Sequence, residues 1–152
     1  MLSYVAIARQ LNILGTGILA GAFLMSALGL RPAVGRLEAA QQVFLRQQLI
    51  QRLSKLMPPL MLLPIAASSV ILVFNGTLGD WPIAAAGWAF SVSTVGITVI
   101  VNVPLNRRFA GWSPSKFPPD WQIYVRRWDR ANFIRFVLAL AAFACAVISG
   151  GE

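Results

Sequence analysis

The chain has 152 residues, of which 57% are hydrophobic and only 12% charged, and its net charge is +8. A soluble domain carries about a quarter charged residues, so this composition excludes a fully water-facing surface and makes lipid the expected solvent for much of the molecule. With no histidine and one cysteine, an imidazole base, a His-ligated haem or metal, an intramolecular disulfide and a single-chain thiolate cluster are also excluded.

Crossing a bilayer takes about 20 mostly apolar residues. Taken in chain order, four stretches meet or approach that length: about 11–30, 57–74, 81–103 and 131–148. The first is longer than a signal-peptide core and lacks a strongly basic start, so it reads as a retained helix. None of the four alternates apolar and polar residues, and in hydrocarbon a helix satisfies its own backbone hydrogen bonds. The expected fold is therefore all-α: an integral membrane four-helix bundle with up-down topology, formed by a single transmembrane domain over 1–152.

The connections set an orientation. Between spans one and two lie Arg31, Arg36, Arg46, Arg52 and Lys55, opposed by Glu38 alone. Between spans three and four lie Arg107, Arg108, Lys116, Arg126, Arg127 and Arg130. The turn from Asn75 to Asp80 has no Lys or Arg. Excess Lys and Arg mark cytoplasmic loops. The basic loops 31–56 and 105–130 are thus expected on the cytoplasmic side, with both termini and the 75–80 turn outside. This distribution also accounts for the basic charge without nucleic acid as a partner.

The first basic connection is rich in helix formers and free of Gly and Pro from Leu37 to Leu56. Leu37, Ala40, Phe44, Leu53 and Leu56 suggest an apolar stripe and Gln41, Gln48, Gln51 and Arg52 a polar side. That pattern predicts a cytoplasmic amphipathic helix between spans one and two. It either lies on the interface or extends the second span, with a break or kink at Pro58 and Pro59. The second basic connection carries Trp112, Pro114, Phe117, Pro118, Pro119 and Trp121, a composition that resists helix and places aromatics at headgroup level.

Gly17 and Gly21 have GxxxG spacing, which lets another backbone approach closely. The approach is either intramolecular packing or a homodimer contact. Ser68, Ser69, Ser91, Ser93, Thr94 and Thr98 can bond to carbonyls of their own helices and are set aside as functional candidates. The carboxylates Glu38, Asp80, Asp120, Asp129 and Glu152 all read as loop or tail residues, so no intramembrane acid or proton relay is expected.

More informative polar groups cluster at the cytoplasmic ends of spans three and four. Asn102 and Asn106 share a face if the helix continues past Pro104. Trp128, Asn132 and Arg135, at i, i+4 and i+7, also share one. Up-down topology brings both sets to one depth. One reading is a ligand pocket lined by Asn102, Asn106, Trp128, Asn132 and Arg135, holding an aromatic or lipid small molecule. The other is structural, with Arg135 capping loop carbonyls or pairing with Asp129 or Glu38 and the asparagines tying helix ends together.

The string from Asn102 through Val103, Pro104, Leu105 and Asn106 to Arg107, followed by Trp128, Asn132 and Arg135, resembles a family of small four-helix membrane proteins that includes anthrone oxygenases. Gly21, Ala22, Phe23, Arg31 and Pro32 are similar to that family's first span and its exit. The resemblance implies oxygen-dependent oxidation of an aromatic polyketide-like anthrone to an anthraquinone, with no protein-ligated metal and no cofactor. The central methylene of an anthrone is acidic, and its carbanion reacts with oxygen directly. Arg and Asn donors would stabilise the oxyanion. The alternative is a non-catalytic membrane subunit that packs on a larger complex or holds a lipid or pigment, with partner membrane subunits or a homo-oligomer as its candidate assemblies. No proton acceptor for the oxygenase reading is visible in the pocket at this level.

Overall fold

In a computed structural model of the chain, residues 4–74, 81–113 and 115–150 are described. The expected turn 75–80, Pro114 and both terminal tips lie outside them. Among the described residues the protein is helical, with no strand beyond an isolated bridge between Ser113 and Lys116. In chain order it comprises α1 (Tyr4–Leu24), a π-helical segment (Met25–Leu30), α2 (Arg31–Val34), α3 (Ala39–Phe74), α4 (Trp81–Ile97), a second π-helical segment (Thr98–Asn102), α5 (Val103–Ala110) and α6 (Trp121–Gly150).

Four continuous helical runs are long and apolar enough to cross a membrane: Tyr4–Val34, Ala39–Phe74, Trp81–Ala110 and Trp121–Gly150. The protein is an integral multi-pass membrane protein. The runs exceed the expected spans because charged flanks end a hydropathy signal without ending a helix. At 36 residues, α3 is about 54 Å long, well beyond a hydrocarbon core of about 30 Å.

The prolines do not break the helix: Pro58, Pro59 and Pro64 all lie inside α3, which continues through them. Of the two arrangements expected, residues 39–56 therefore extend the second span rather than form a separate helix. Their expected apolar stripe also faces the wrong way. Leu37, Phe44, Leu53 and Leu56 are exposed, whereas Val43 and Arg46 are buried. In a bilayer-embedded protein the outer surface is itself apolar, so an apolar stripe does not identify the packed face.

Pro32 and Pro104 have a different effect. Each follows a π-helical segment by two residues, where the turn widens. The Arg31 N–H bonds to the Ser26 carbonyl and the Val103 N–H to the Thr98 carbonyl, five residues back. A proline ring in an α-helix clashes with the carbonyl four residues earlier. A wide turn just before it relieves that clash and lets the helix proceed. Pro104 accordingly does not end its helix, and Asn102 and Asn106 stay on one run.

Three clusters form the core. Leu19, Ala20 and Phe23 of α1 pack on Met61 of α3 and Ala139 of α6. Ala8, Ile71 and Ala84 join α1, α3 and α4. Leu105, Phe109, Trp121 and Val125 form an aromatic cluster beneath the 111–120 connection, with Trp112, Phe117 and Tyr124 packed against it. Gln47 of α3 fastens this end: its Nε2 donates to the carbonyls of Phe109 and Trp112, both at 2.7 Å. These carbonyls lie at and just beyond the C-terminus of α5, where helix carbonyls run short of partners within the helix.

Small residues and hydroxyls knit the helices. A Cβ on Gly15 would meet Pro64 at 3.3 Å and one on Gly17 would meet Phe143 at 3.1 Å, whereas one on Gly21 would meet nothing within 4 Å. The GxxxG pair is thus only half engaged in the chain's own packing, and the tight approach of α1 to α3 is at Gly15. Ser69, Ser91, Ser93, Thr94 and Thr98 each donate to the carbonyl four residues back, in keeping with their sequence positions. Ser69 also accepts from Trp88 Nε1, and Ser68 Oγ lies 3.1 Å from Asn12 Oδ1, so these two join helices as well.

Candidate functional site

A cavity of about 580 Å³ lies among all four helical runs, within the range of small-molecule sites. Both π-helical segments line it, the first through Met25, Ser26 and Leu30 and the second through Thr98, Val99 and Asn102. Such wide turns recur at functional sites because they redirect side chains that a regular helix would place elsewhere. Here the second one turns Asn102 inward, to 1% exposure.

The wall formed by α6 and the second π-helical segment is polar. Asn102 Nδ2 donates to Asn132 Oδ1 at 3.1 Å, and Arg135 Nη1 donates to the same oxygen at 3.0 Å. This pattern fixes both amides. A guanidinium has only donors, so Asn132 must present its oxygen to Arg135, and Asn102 must then offer its NH2 group. Asn102 Oδ1, Asn132 Nδ2 and Arg135 Nε are buried with no hydrogen-bond partner in the protein.

Arg135 stacks over Phe23 of α1, 4.1 Å from the ring centroid, and its Nη2 lies 4.0 Å from Met61 Sδ. Arg135 therefore neither caps loop carbonyls nor pairs with Asp129. Asp129 is held instead by Arg46 Nη1 at 3.1 Å and Arg31 Nε at 3.6 Å. Arg46 lies 5.0 Å over the Trp128 ring, and Trp128 Nε1 donates to Asn106 Oδ1 at 2.9 Å.

All five residues predicted from sequence line the cavity: Asn102, Asn106, Trp128, Asn132 and Arg135. Sequence reasoning missed Phe23, Arg46, Met61 and Asp129, which line it too. The expectation that every carboxylate sits in a loop or tail fails at Asp129, which is buried in α6. A sequence signal for this exists. No Gly or Pro interrupts the stretch from Trp121 to Ser149, so the helix has no reason to start as late as Ala131. Asp129 then falls three residues before Asn132, on the same side.

Much of the remaining lining is apolar, including Leu49, Ile50, Leu53 and Met57 of α3. The cavity holds three arginines, Arg31, Arg46 and Arg135, and one aspartate, an excess of two positive charges. Its chemistry suits a flat or elongated hydrocarbon ligand bearing an acidic oxygen. Among the described residues no three of His, Cys, Asp and Glu come together.

No curated protein and no solved structure matches the chain. Residues 47–145 match the anthrone oxygenase family. That stretch contains Asn102, Asn106, Trp128, Asp129, Asn132 and Arg135, and it begins one residue after Arg46. With well over half of its length matched, the chain belongs to the anthrone oxygenase family.

Proposed function

We propose that the protein is a membrane oxygenase that oxidises an anthrone-type aromatic in the four-run cavity, using Arg135, Asn132, Asn102, Asn106 and Trp128 to hold it. The observation that carries this reading is the cationic polar wall in an otherwise largely apolar cavity, in a chain of this family. The whole chain, 1–152, acts as one transmembrane domain with up-down topology. By the positive-inside argument, loops 31–56 and 105–130 are cytoplasmic and both termini are outside. A reporter fused after Glu152 should then read as external, and a cytoplasmic signal would reverse the assignment.

The chemistry needs few protein groups. Loss of a proton from the central methylene gives a carbanion whose charge spreads onto the ring oxygen. Asn132 Nδ2 and the Arg135 guanidinium are placed to stabilise that oxygen, acting where charge develops. The carbanion adds oxygen to give a peroxide anion, which takes up a proton. Elimination of water from the hydroperoxide leaves the ketone, so one anthrone and one oxygen yield one anthraquinone and one water. Asp129 is the carboxylate in the cavity and serves as proton acceptor. The two excess positive charges lower the demand on that base by favouring the anionic substrate.

Oxygen uptake by the protein in nanodiscs, with 1,8-dihydroxyanthrone and with protein-free discs for background autoxidation, tests the proposal. One oxygen consumed per anthraquinone formed, above background, supports it. A rate equal to background would falsify it.

A non-catalytic subunit holding a lipid or pigment is the second reading. It is favoured by Asp129 being engaged by two arginines, which occupy its oxygens. Stoichiometric partner chains, or a homo-oligomer, isolated with a bound pigment from native membranes would support it.

A further inference from the structure

Several residues line the cavity and also lie on the outer surface. Met25 is 63% exposed, Leu62 57% and Val99 59%, and Leu53 is exposed as well. They come from the first π-helical segment, α3 and the second π-helical segment and are apolar, while Arg31 and Ser54 also line the cavity and are exposed. Met25, Leu62 and Val99 fall inside the apolar stretches of runs long enough to cross a bilayer, whereas Leu53 lies in the basic 31–56 segment. The mouth bordered by Met25, Leu62 and Val99 therefore faces hydrocarbon. Pro58 and Pro59 lie between Leu53 and Leu62 on α3, and each lacks the N–H that would stiffen the rim.

The end near Arg31 is built differently. Arg31 and Arg46 meet on Asp129, so one carboxylate ties the exit of the first run to α3 and α6. Across from the mouth stand Asn102, Asn132 and Arg135, each more than nine-tenths buried and each with a polar atom that has no partner in the protein. A ligand crossing from the mouth to that wall passes from lipid to hydrogen-bonding groups.

We infer that the cavity is loaded sideways from the bilayer, and that its substrate is a lipid-soluble phenol or enol whose acidic oxygen reaches Asn102, Asn132 and Arg135 while its hydrocarbon remainder stays in the mouth among Met25, Leu62 and Val99. The inference rests on the oxygenase reading only for the identity of the reacting ring. It adds how the substrate arrives and that a long alkyl substituent is tolerated. The excess positive charge favours ionisation of the head group after it has entered, so the neutral, membrane-partitioned form is the one admitted.

The test uses 4-dodecylphenol with a diazirine at the chain terminus, photolysed with the full chain in nanodiscs, followed by peptide mapping. Labels are expected at Met25, Leu62 and Val99 and should disappear with excess unlabelled 4-dodecylphenol. The double variant Leu62→Trp/Val99→Trp, altering two exposed positions, should abolish them. Labels spread over lipid-facing residues outside the mouth, such as Ile100 and Phe133, or labels that resist competition, overturn the inference. Oxygen uptake on the same discs separates it from the enzymatic reading. Rim labelling without anthrone oxidation keeps sideways loading and removes the oxygenase. Oxidation that the tryptophan pair leaves unchanged, with labels elsewhere, does the reverse.

Discussion

Arg46 and Asp129 lie 83 positions apart in sequence, yet Arg46 Nη1 is 3.1 Å from Asp129 Oδ1 and both residues are buried. Removing one partner of a buried ion pair leaves the other charge uncompensated, a cost of about 3–5 kcal/mol. Asp129→Ala should therefore lower stability by that order in detergent unfolding. The double variant Arg46→Met/Asp129→Leu should recover much of it, while still failing to oxidise anthrone. An unchanged unfolding midpoint for Asp129→Ala would mean that the pair does not form.

Arg135→Met tests the polar wall with little disturbance of packing, because an unbranched side chain still fits between Phe23 and Met61. Loss of an oxyanion donor costs about 10²–10³ in rate, and a drop of that order in oxygen uptake is expected with the fold retained. Arg135→Lys should rescue only partly, since an ammonium cannot reproduce the planar guanidinium stacked on Phe23. Full activity in Arg135→Met would remove Arg135 from the site.

The two asparagines act as one unit. Asn132→Leu strips the acceptor from both Asn102 and Arg135, so it should cost about 1–3 kcal/mol. Asn102→Leu/Asn132→Leu should cost less than the sum of the two single changes. A double-mutant cycle measures that difference; strict additivity would show that the amides are not coupled.

Gly17 and Gly21 should respond in opposite ways. A Cβ on Gly17 meets the Phe143 ring at 3.1 Å, so Gly17→Leu forces α1 from α6 and should destabilise by about 1–3 kcal/mol. Gly21 has open space, and Gly21→Ala should be neutral or stabilising by about 0.5–1 kcal/mol through helix propensity. Equal destabilisation at both positions would point to a contact with a second copy at Gly21.

Pro104→Ala restores a backbone donor and removes the clash that the second π-helical segment accommodates. The wide turn should relax to regular α-helix and rotate Asn102 out of the wall. Activity should fall while the unfolding midpoint holds or rises. A crosslink between cysteines replacing Asn102 and Asn132 would report the same rotation directly, by forming while Pro104 is kept and failing once Pro104→Ala is added.

Much of this architecture is legible in the sequence. Four apolar runs show on hydropathy alone, and the residue types at 102, 106, 128, 132 and 135 mark the polar wall because buried polar groups are costly in lipid. What is not legible follows from two physical facts. Charge ends a hydropathy window but not a helix, and this hides Asp129 and Arg46 in apparent loops. A proline can be carried by a wide turn or tolerated inside a long helix, so Pro58, Pro59 and Pro104 give no boundary where one is expected. The partner of Arg135 is beyond reach in any case, since Phe23 and Met61 meet it only through the packing of three helices.

The rim of Met25, Leu62 and Val99 has a further consequence for the proposed reaction. Molecular oxygen dissolves more readily in hydrocarbon than in water, so a mouth that faces the bilayer draws on the phase where oxygen is concentrated. Both reactants then share one reservoir, and turnover should follow the gas content of the lipid rather than that of the surrounding buffer.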